Sequence, residues 1–168
     1  SDYIAVINAR HYERITGYIE EARQAGVRVE PLATDAHNAQ ERRIPLHLIV
    51  NPGDELKVMQ DEIFGPILPM VEIDNVAEAI AFINSKPHPL ALYVFSEDDR
   101  AIDAVIERTT AGGVTVNGTI LHISNPNLPF GGVGESGMGA YHGKSSIDIF
   151  QHRKPVLRKS TKVDPSIA

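Results

Sequence analysis

At 168 residues, with 42% hydrophobic and 23% charged side chains, the chain is long enough for one domain with its own core and has the composition of an ordinary globular protein. A formal net charge of −6, with no basic patch interleaved with aromatics, argues against a nucleic-acid backbone as partner. The chain contains no cysteine, which excludes disulfides and thiolate metal ligands within it; its seven histidines show no HExxH-like spacing, and no metal site is expected.

Asn8 reads as the N-cap of a helix with Tyr12, Ile15, Ile19 and Ala22 on its apolar stripe and Gly26 as its stop. A strand is expected over Val27–Leu32, then a polar surface loop over Thr34–Arg43 and a short strand over Leu46–Val50. Asn51-Pro52-Gly53-Asp54 is turn chemistry. From Ile67 the pattern alternates. Strands are expected at Ile67–Ile73, Leu90–Phe95 and Gly113–Val116. Between them lie a helix capped by Asn75, with Glu78 at the capping-box position and Ile80 and Ile83 inward, and one capped by Ser96, with Ile102, Val105 and Ile106 inward. This alternation predicts an α/β fold with a parallel sheet built from crossover units, and the apolar run Ala91–Phe95 suits a sheet covered on both faces. Beyond Asn117 the chain turns irregular and Pro/Gly-rich. A short helix over Ser145–Phe150 and a last exposed strand at Pro155–Leu157 close the pattern. No run is long enough to span a bilayer, no leader is expected at the start, and the polar end from Lys162 to Ser166 carries no anchor; a cytoplasmic protein is the expectation.

The most informative stretch is Gln60-Asp61-Glu62-Ile63-Phe64-Gly65-Pro66. In an extended segment Glu62 and Phe64 project to the same side. A carboxylate accepts hydrogen bonds from a pair of sugar hydroxyls, and a ring lies flat on a planar heterocycle, so together they suit a ribose joined to an aromatic base. The bland alternative is a solvated acid and a packed ring beside a turn. Asn117 stands where a strand ends, the usual ligand edge of a parallel sheet, although a turn Asn satisfying backbone groups reads equally well. The run Gly132-Val133-Gly134-Glu135-Ser136-Gly137 matches GxGxxG, but Asn125-Pro126-Asn127-Leu128-Pro129 before it is a poor buried strand; a tight glycine loop is the better reading.

The strings VMQDEIFGPILP (58–69), GGVTVNG (112–118) and LPFGGVGESGMGAYHGK (128–144), in this order, resemble the aldehyde dehydrogenase superfamily, and its class 3 branch of coniferyl- and fatty-aldehyde dehydrogenases in particular; the likeness runs from about Tyr3 to about Ser160. The resemblance implies part of a catalytic domain over 1–150, followed by an oligomerisation strand and tail over 151–168 and a homodimer. It implies an NAD- or NADP-dependent enzyme that oxidises an aromatic, coniferyl-type, or long-chain aldehyde to its acid through a cysteine thioester. Glu62 then holds the nicotinamide ribose, Phe64 packs near the nicotinamide, and Asn117, His122 with its neighbours Leu121 and Ile123, and Phe130 border the aldehyde pocket. His122 and His142 are not expected to be acid–base groups, because the family's general base is a glutamate. By the same resemblance that glutamate and the cysteine nucleophile lie outside this chain, so no catalytic residue is expected in it and it is expected to be inactive alone. Glu135 stands where many class 3 relatives carry a small or amide residue. The contrasting expectation is a non-catalytic binding or assembly module that pairs through its exposed edge strand.

Overall fold

The computed structural model describes residues 5–34 and 37–161, and these divide into two compact units at Asp74/Asn75. In the first unit, helix α1 (Ala9–Gln24) begins at Asn8, whose side chain accepts the His11 N–H at 2.9 Å, and ends before Gly26, which has φ +75°. Its buried stripe is Ile15, Tyr18, Ile19 and Ala22. Strand β1 (Arg28–Pro31) runs antiparallel to β2 (His47–Val50), and β2 runs parallel to β3 (Ile67–Met70), with Ile49 opposite both Val29 and Pro69. The one-turn helix α2 (Lys57–Gln60) lies on the β2-to-β3 connection. Ile44, Ile49, Leu56, Val58 and Ile67 close the core against α1.

This three-stranded sheet is therefore mixed: β2 and β3 form a parallel pair, as an α/β fold requires, and β1 adds an antiparallel edge. Residues 32–46 bring the chain back beside β1 without a crossover helix, and the Asn38–Arg43 bridge narrows that connection. The part of the expected loop at residues 35–36 lies outside the described residues.

The second unit holds helix α3 (Val76–Asn84), β4 (Ala91–Val94), α4 (Asp99–Arg108) and β5 (Gly113–Val116), with β4 and β5 parallel across the α4 crossover. Asn75 caps α3 by accepting the Glu78 N–H at 3.0 Å. The cap of α4 is Asp98, two residues beyond the expected Ser96; the Ser96 hydroxyl instead accepts the Asp98 N–H. Val105 is buried on α4 and Ile80 on α3, whereas Ile106 faces outward. The expected coverage of both faces of β4 is also not found, since Tyr93 and Phe95 are exposed; a two-stranded sheet has too little neighbouring structure to cover them. Two short helices follow, α5 (Leu121–Ser124) and α6 (Gly143–Phe150), with a single 3-10 turn at Gly134–Ser136 between them.

The expected strand at Pro155–Leu157 is absent from the described residues: 151–161 is exposed and carries no sheet pairing. A lone edge segment has no neighbour to complete its ladder. The polar end from Lys162 lies outside the described residues. No helix among the described residues is long and apolar enough to cross a membrane.

Candidate functional site

The residues from Asp61 to Pro66 form an irregular loop between α2 and β3. Asp61 starts it in extended backbone, its N–H bonded to the Lys57 carbonyl. Phe64 then takes a left-handed φ of +45°, so the alternation expected of an extended run breaks at this ring. A left-handed conformation in a bulky residue costs about 1–3 kcal/mol and marks a site worth attention. Gly65 follows, and a Cβ placed there would lie 2.4 Å from Cδ1 of the buried Ile15. The Pro66 carbonyl accepts the His47 N–H at 3.0 Å, docking the loop on β2.

Helix α1 grips the other side of the loop. Arg14 donates from Nη1 to the Glu62 carbonyl at 3.2 Å and from Nη2 to the Ile63 carbonyl at 2.7 Å. The same Nη1 donates to the Tyr18 hydroxyl at 2.8 Å, and that hydroxyl donates to Asp61 Oδ2 at 2.6 Å. Burial raises the Tyr18 pKa, the hydrogen bond to the Asp61 carboxylate adds to this, and Arg14 opposes it. The loop's main chain is thus held while its side chains face solvent: the Phe64 ring is 82% exposed, and the exposed Glu62 carboxylate has no hydrogen bond or ion pair among the described residues. An unengaged carboxylate two residues from an open ring is the donor-poor, acceptor-rich arrangement that fits a ribose diol and a flat heterocycle.

In the second unit Asn117 has φ +53° just past β5. Its Oδ1 accepts the Ser96 N–H and its Nδ2 donates to the Ser96 carbonyl, each at 2.9 Å. Its amide therefore clips the ends of β4 and β5 together, the turn role open to it from the sequence. His122 on α5 is 8% exposed; its Nδ1 lies 3.0 Å from Thr115 Oγ1, its ring sits under Gly113, and its Nε2 has no partner. This histidine is part of the packing beneath β5. Phe130 is half-buried and pairs with Tyr141 through two reciprocal backbone hydrogen bonds of 2.9 Å. Its ring centroid lies 5.8 Å from that of His122 and 5.7 Å from that of Tyr141, and it stacks on His142.

The GxGxxG run has no strand before it and only a 3-10 turn within it. A Cβ on Gly132 would meet the Ser136 carbonyl at 2.1 Å, and one on Gly131 the Gly139 carbonyl at 2.1 Å. These glycines let main chain pack on main chain, as a tight loop requires. Among the described residues no group of three or more His, Cys, Asp or Glu side chains is placed to hold a metal.

Sequence reasoning passed over Arg14 and Tyr18, whose hydrogen bonds reach across more than forty positions. It also passed over Ile120, which stands exposed with φ +66° beside the equally exposed Leu121. The one local signal was an apolar residue two positions after the Asn117-Gly118 pair.

Residues 1–156 match the aldehyde dehydrogenase family. A probable coniferyl aldehyde dehydrogenase of Caulobacter vibrioides is 49% identical over 164 residues, 96% of this chain and 34% of that protein. The dimeric NADP-preferring aldehyde dehydrogenase of Rattus norvegicus is 45% identical over 159 residues, 95% of this chain and 34% of that protein. The structure of a Mycobacterium tuberculosis aldehyde dehydrogenase complexed with NAD+ superposes with a TM-score of 0.80 at 25% identity, covering 92% of this chain and 32% of that one. The chain spans about a third of the length of the relatives it matches. With the family matched across nearly all its residues and the fold shared with a solved member, the chain belongs to the aldehyde dehydrogenase family.

Proposed function

We propose that this chain supplies the nicotinamide-facing wall, and part of the aldehyde pocket, of a cytoplasmic NAD- or NADP-dependent dehydrogenase that oxidises an aromatic, coniferyl-type, or long-chain aldehyde to its carboxylic acid. The observation that carries the reading is the loop of Glu62 and Phe64, held by its backbone with both side chains open. Glu62 accepts hydrogen bonds from the nicotinamide ribose, each charge-assisted bond contributing about 1.5–3 kcal/mol. Phe64 packs against the nicotinamide ring, adding about 0.5–1.5 kcal/mol. The cofactor, when bound, accepts hydride; the residues of this chain orient it and exclude water from one face. Asn117 shapes the pocket by fixing the strand end, Phe130 lines it, and His122 packs between Phe130 and Thr115.

No cysteine exists here to form the thioester, so the chain by itself turns over no aldehyde. The test is to mix it with NAD and benzaldehyde or a cinnamyl aldehyde and to titrate it separately with nicotinamide mononucleotide. Binding without reduction is expected, and Glu62→Gln should weaken that binding about tenfold, the loss of one charge-assisted bond. Measured turnover by the chain alone, or identical binding by Glu62→Gln, overturns the reading.

A second reading concerns assembly. Phe150, Val156 and Leu157 are exposed near the C-terminal segment, Leu157 at 95%. Paired with the sheet edge of a second copy, this segment gains the ladder it lacks alone and forms a homodimer. Light scattering checks it: a monomer at every concentration removes the idea.

A further inference from the structure

We infer that Arg14 is a positioning residue for the cofactor wall, and that one face of α1 (Arg14, Ile15 and Tyr18) sets the backbone path from Asp61 to Gly65. This rests on the reading of Glu62 and Phe64 given above and deepens it.

Arg14 lies one turn before Tyr18 on α1, and each of its three side-chain nitrogens has an acceptor. Nε points to His11 Nδ1 at 3.3 Å, Nη1 serves Tyr18 and the Glu62 carbonyl, and Nη2 serves the Ile63 carbonyl. A guanidinium is planar and rigid, so the two carbonyls it bonds are held in a set relation to each other. Its charge centre also lies 5.2 Å from the centre of the buried Tyr18 ring, which ties the fork to the core.

Those two carbonyls belong to the residues directly before Phe64. Directly after it, Gly65 sits so close to Ile15 that no side chain fits between them. The loop is therefore anchored on both sides of its left-handed residue, Phe64. A strained φ persists only where its surroundings over-determine it. Arg14 and Ile15 provide that determination from adjacent positions of one helix, and Tyr18 holds the loop's first residue, Asp61, from the next turn. None of the three touches the proposed cofactor; they act through Glu62 and Phe64. A lysine at position 14 is a point charge on a flexible stem and cannot hold two carbonyls in a fork.

Backbone nitrogen-15 relaxation on the whole chain tests the inference. In the unaltered chain the order parameters of Glu62, Ile63 and Phe64 should be near 0.85, roughly the value of rigid backbone. Arg14→Met should take them below about 0.6 while those of Ile15 and Ile19 stay rigid, and should weaken nicotinamide mononucleotide binding about tenfold. Tyr18→Phe should loosen Asp61 alone. Should Arg14→Met fail to fold, Arg14→Lys keeps the charge without the fork and should show the same loosening in smaller degree. Order parameters at 62–64 unchanged in the Met variant, or in the Lys variant where it alone folds, overturn the inference. A chain that binds no nicotinamide mononucleotide overturns the cofactor-wall reading instead, and the relaxation data still decide whether Arg14 positions the loop.

Discussion

Phe64 combines a strained backbone with a ring that packs on almost nothing, so its presence costs stability in this chain. Glycine has no left-handed penalty, and its own entropic cost is smaller than the roughly 1–2 kcal/mol that such a φ imposes on other residues. Phe64→Gly should therefore leave stability unchanged or raise it by up to about 1 kcal/mol, read as a higher urea midpoint at constant slope, while nicotinamide mononucleotide binding weakens by up to about tenfold. A clear drop in the midpoint would show hidden packing for the ring and weaken its assignment to a ligand. Gly65 makes the opposite case. Gly65→Ala forces a methyl into Ile15, which is fully buried and has little room to yield, and should cost about 1–3 kcal/mol in the same titration. The sequence shows only that Gly65 stands between Phe64 and a proline. What it approaches was invisible there, because Ile15 lies fifty positions away and no local pattern encodes that contact.

Both parallel strand pairs end in the same device. Asn51, just past β2, has φ +50°; its N–H bonds the Met70 carbonyl at the end of β3, and its side chain bonds the Glu72 N–H and carboxylate. Asn117, just past β5, has φ +53°; its N–H bonds the Val94 carbonyl at the end of β4, and its side chain takes both backbone groups of Ser96. Asparagine suits the task because it tolerates left-handed backbone and offers one donor and one acceptor side by side. Two variants separate these contributions. Asn117→Gly keeps the backbone and loses the clip, and should cost about 1–2 kcal/mol; Asn117→Ala should cost roughly 1 kcal/mol more, from strain. Thermal unfolding followed by circular dichroism ranks them, and equal melting temperatures for Ala and Gly would remove the strain argument. The five strands and the helices α1, α3, α4 and α6 could be read from their apolar spacing, although only α1 buries a full stripe; α3 and α4 bury Ile80 and Val105, and α6 buries no residue. The single-turn helices α2 and α5 could not, since four residues are too few to show a 3.6-residue period. Ser96 misled because Ser and Asp both cap helices and stand two apart; the structure uses Asp98 for the cap and Ser96 to hold Asp98. The end of the chain misled for another reason: a strand is a relation between two segments, and the apolar residues Val156 and Leu157 have no second segment among the described residues.

The acidity of the whole chain, with net charge −6, says little about how its stability changes with pH, because exposed carboxylates interact weakly. The buried groups decide more. His47 is buried at the start of β2, with Nδ1 against the Pro45 carbonyl at 2.6 Å and Nε2 3.4 Å from Nε2 of His37. Burial lowers the pKa of both rings; for His37 the neighbouring His47 and Arg23 lower it further, and for His47 the Pro45 carbonyl opposes the shift while Arg23 assists it. Neutral rings satisfy both contacts: His47 donates from Nδ1 to the Pro45 carbonyl, and His37 donates to the free Nε2 of His47. The sign follows. Both folded-state values lie below the ordinary 6.5, so above that pH neither state binds the extra protons and the full stability is present. As pH falls below 6.5 the unfolded chain takes up protons first, and stability declines until the folded rings also titrate. Tyr18 acts at the other end: its value is raised above 10.0, so stability is full below pH 10 and declines above it, as the unfolded phenol ionises first. Urea midpoints measured from pH 7.5 down to 5.5, above the range of ordinary carboxylates, isolate the histidine contribution. The midpoint should fall steadily below pH 6.5, and His37→Gln, which keeps a donor but cannot be protonated, should make that fall shallower; a curve of unchanged slope would show that His37 contributes nothing to the acid sensitivity of the fold.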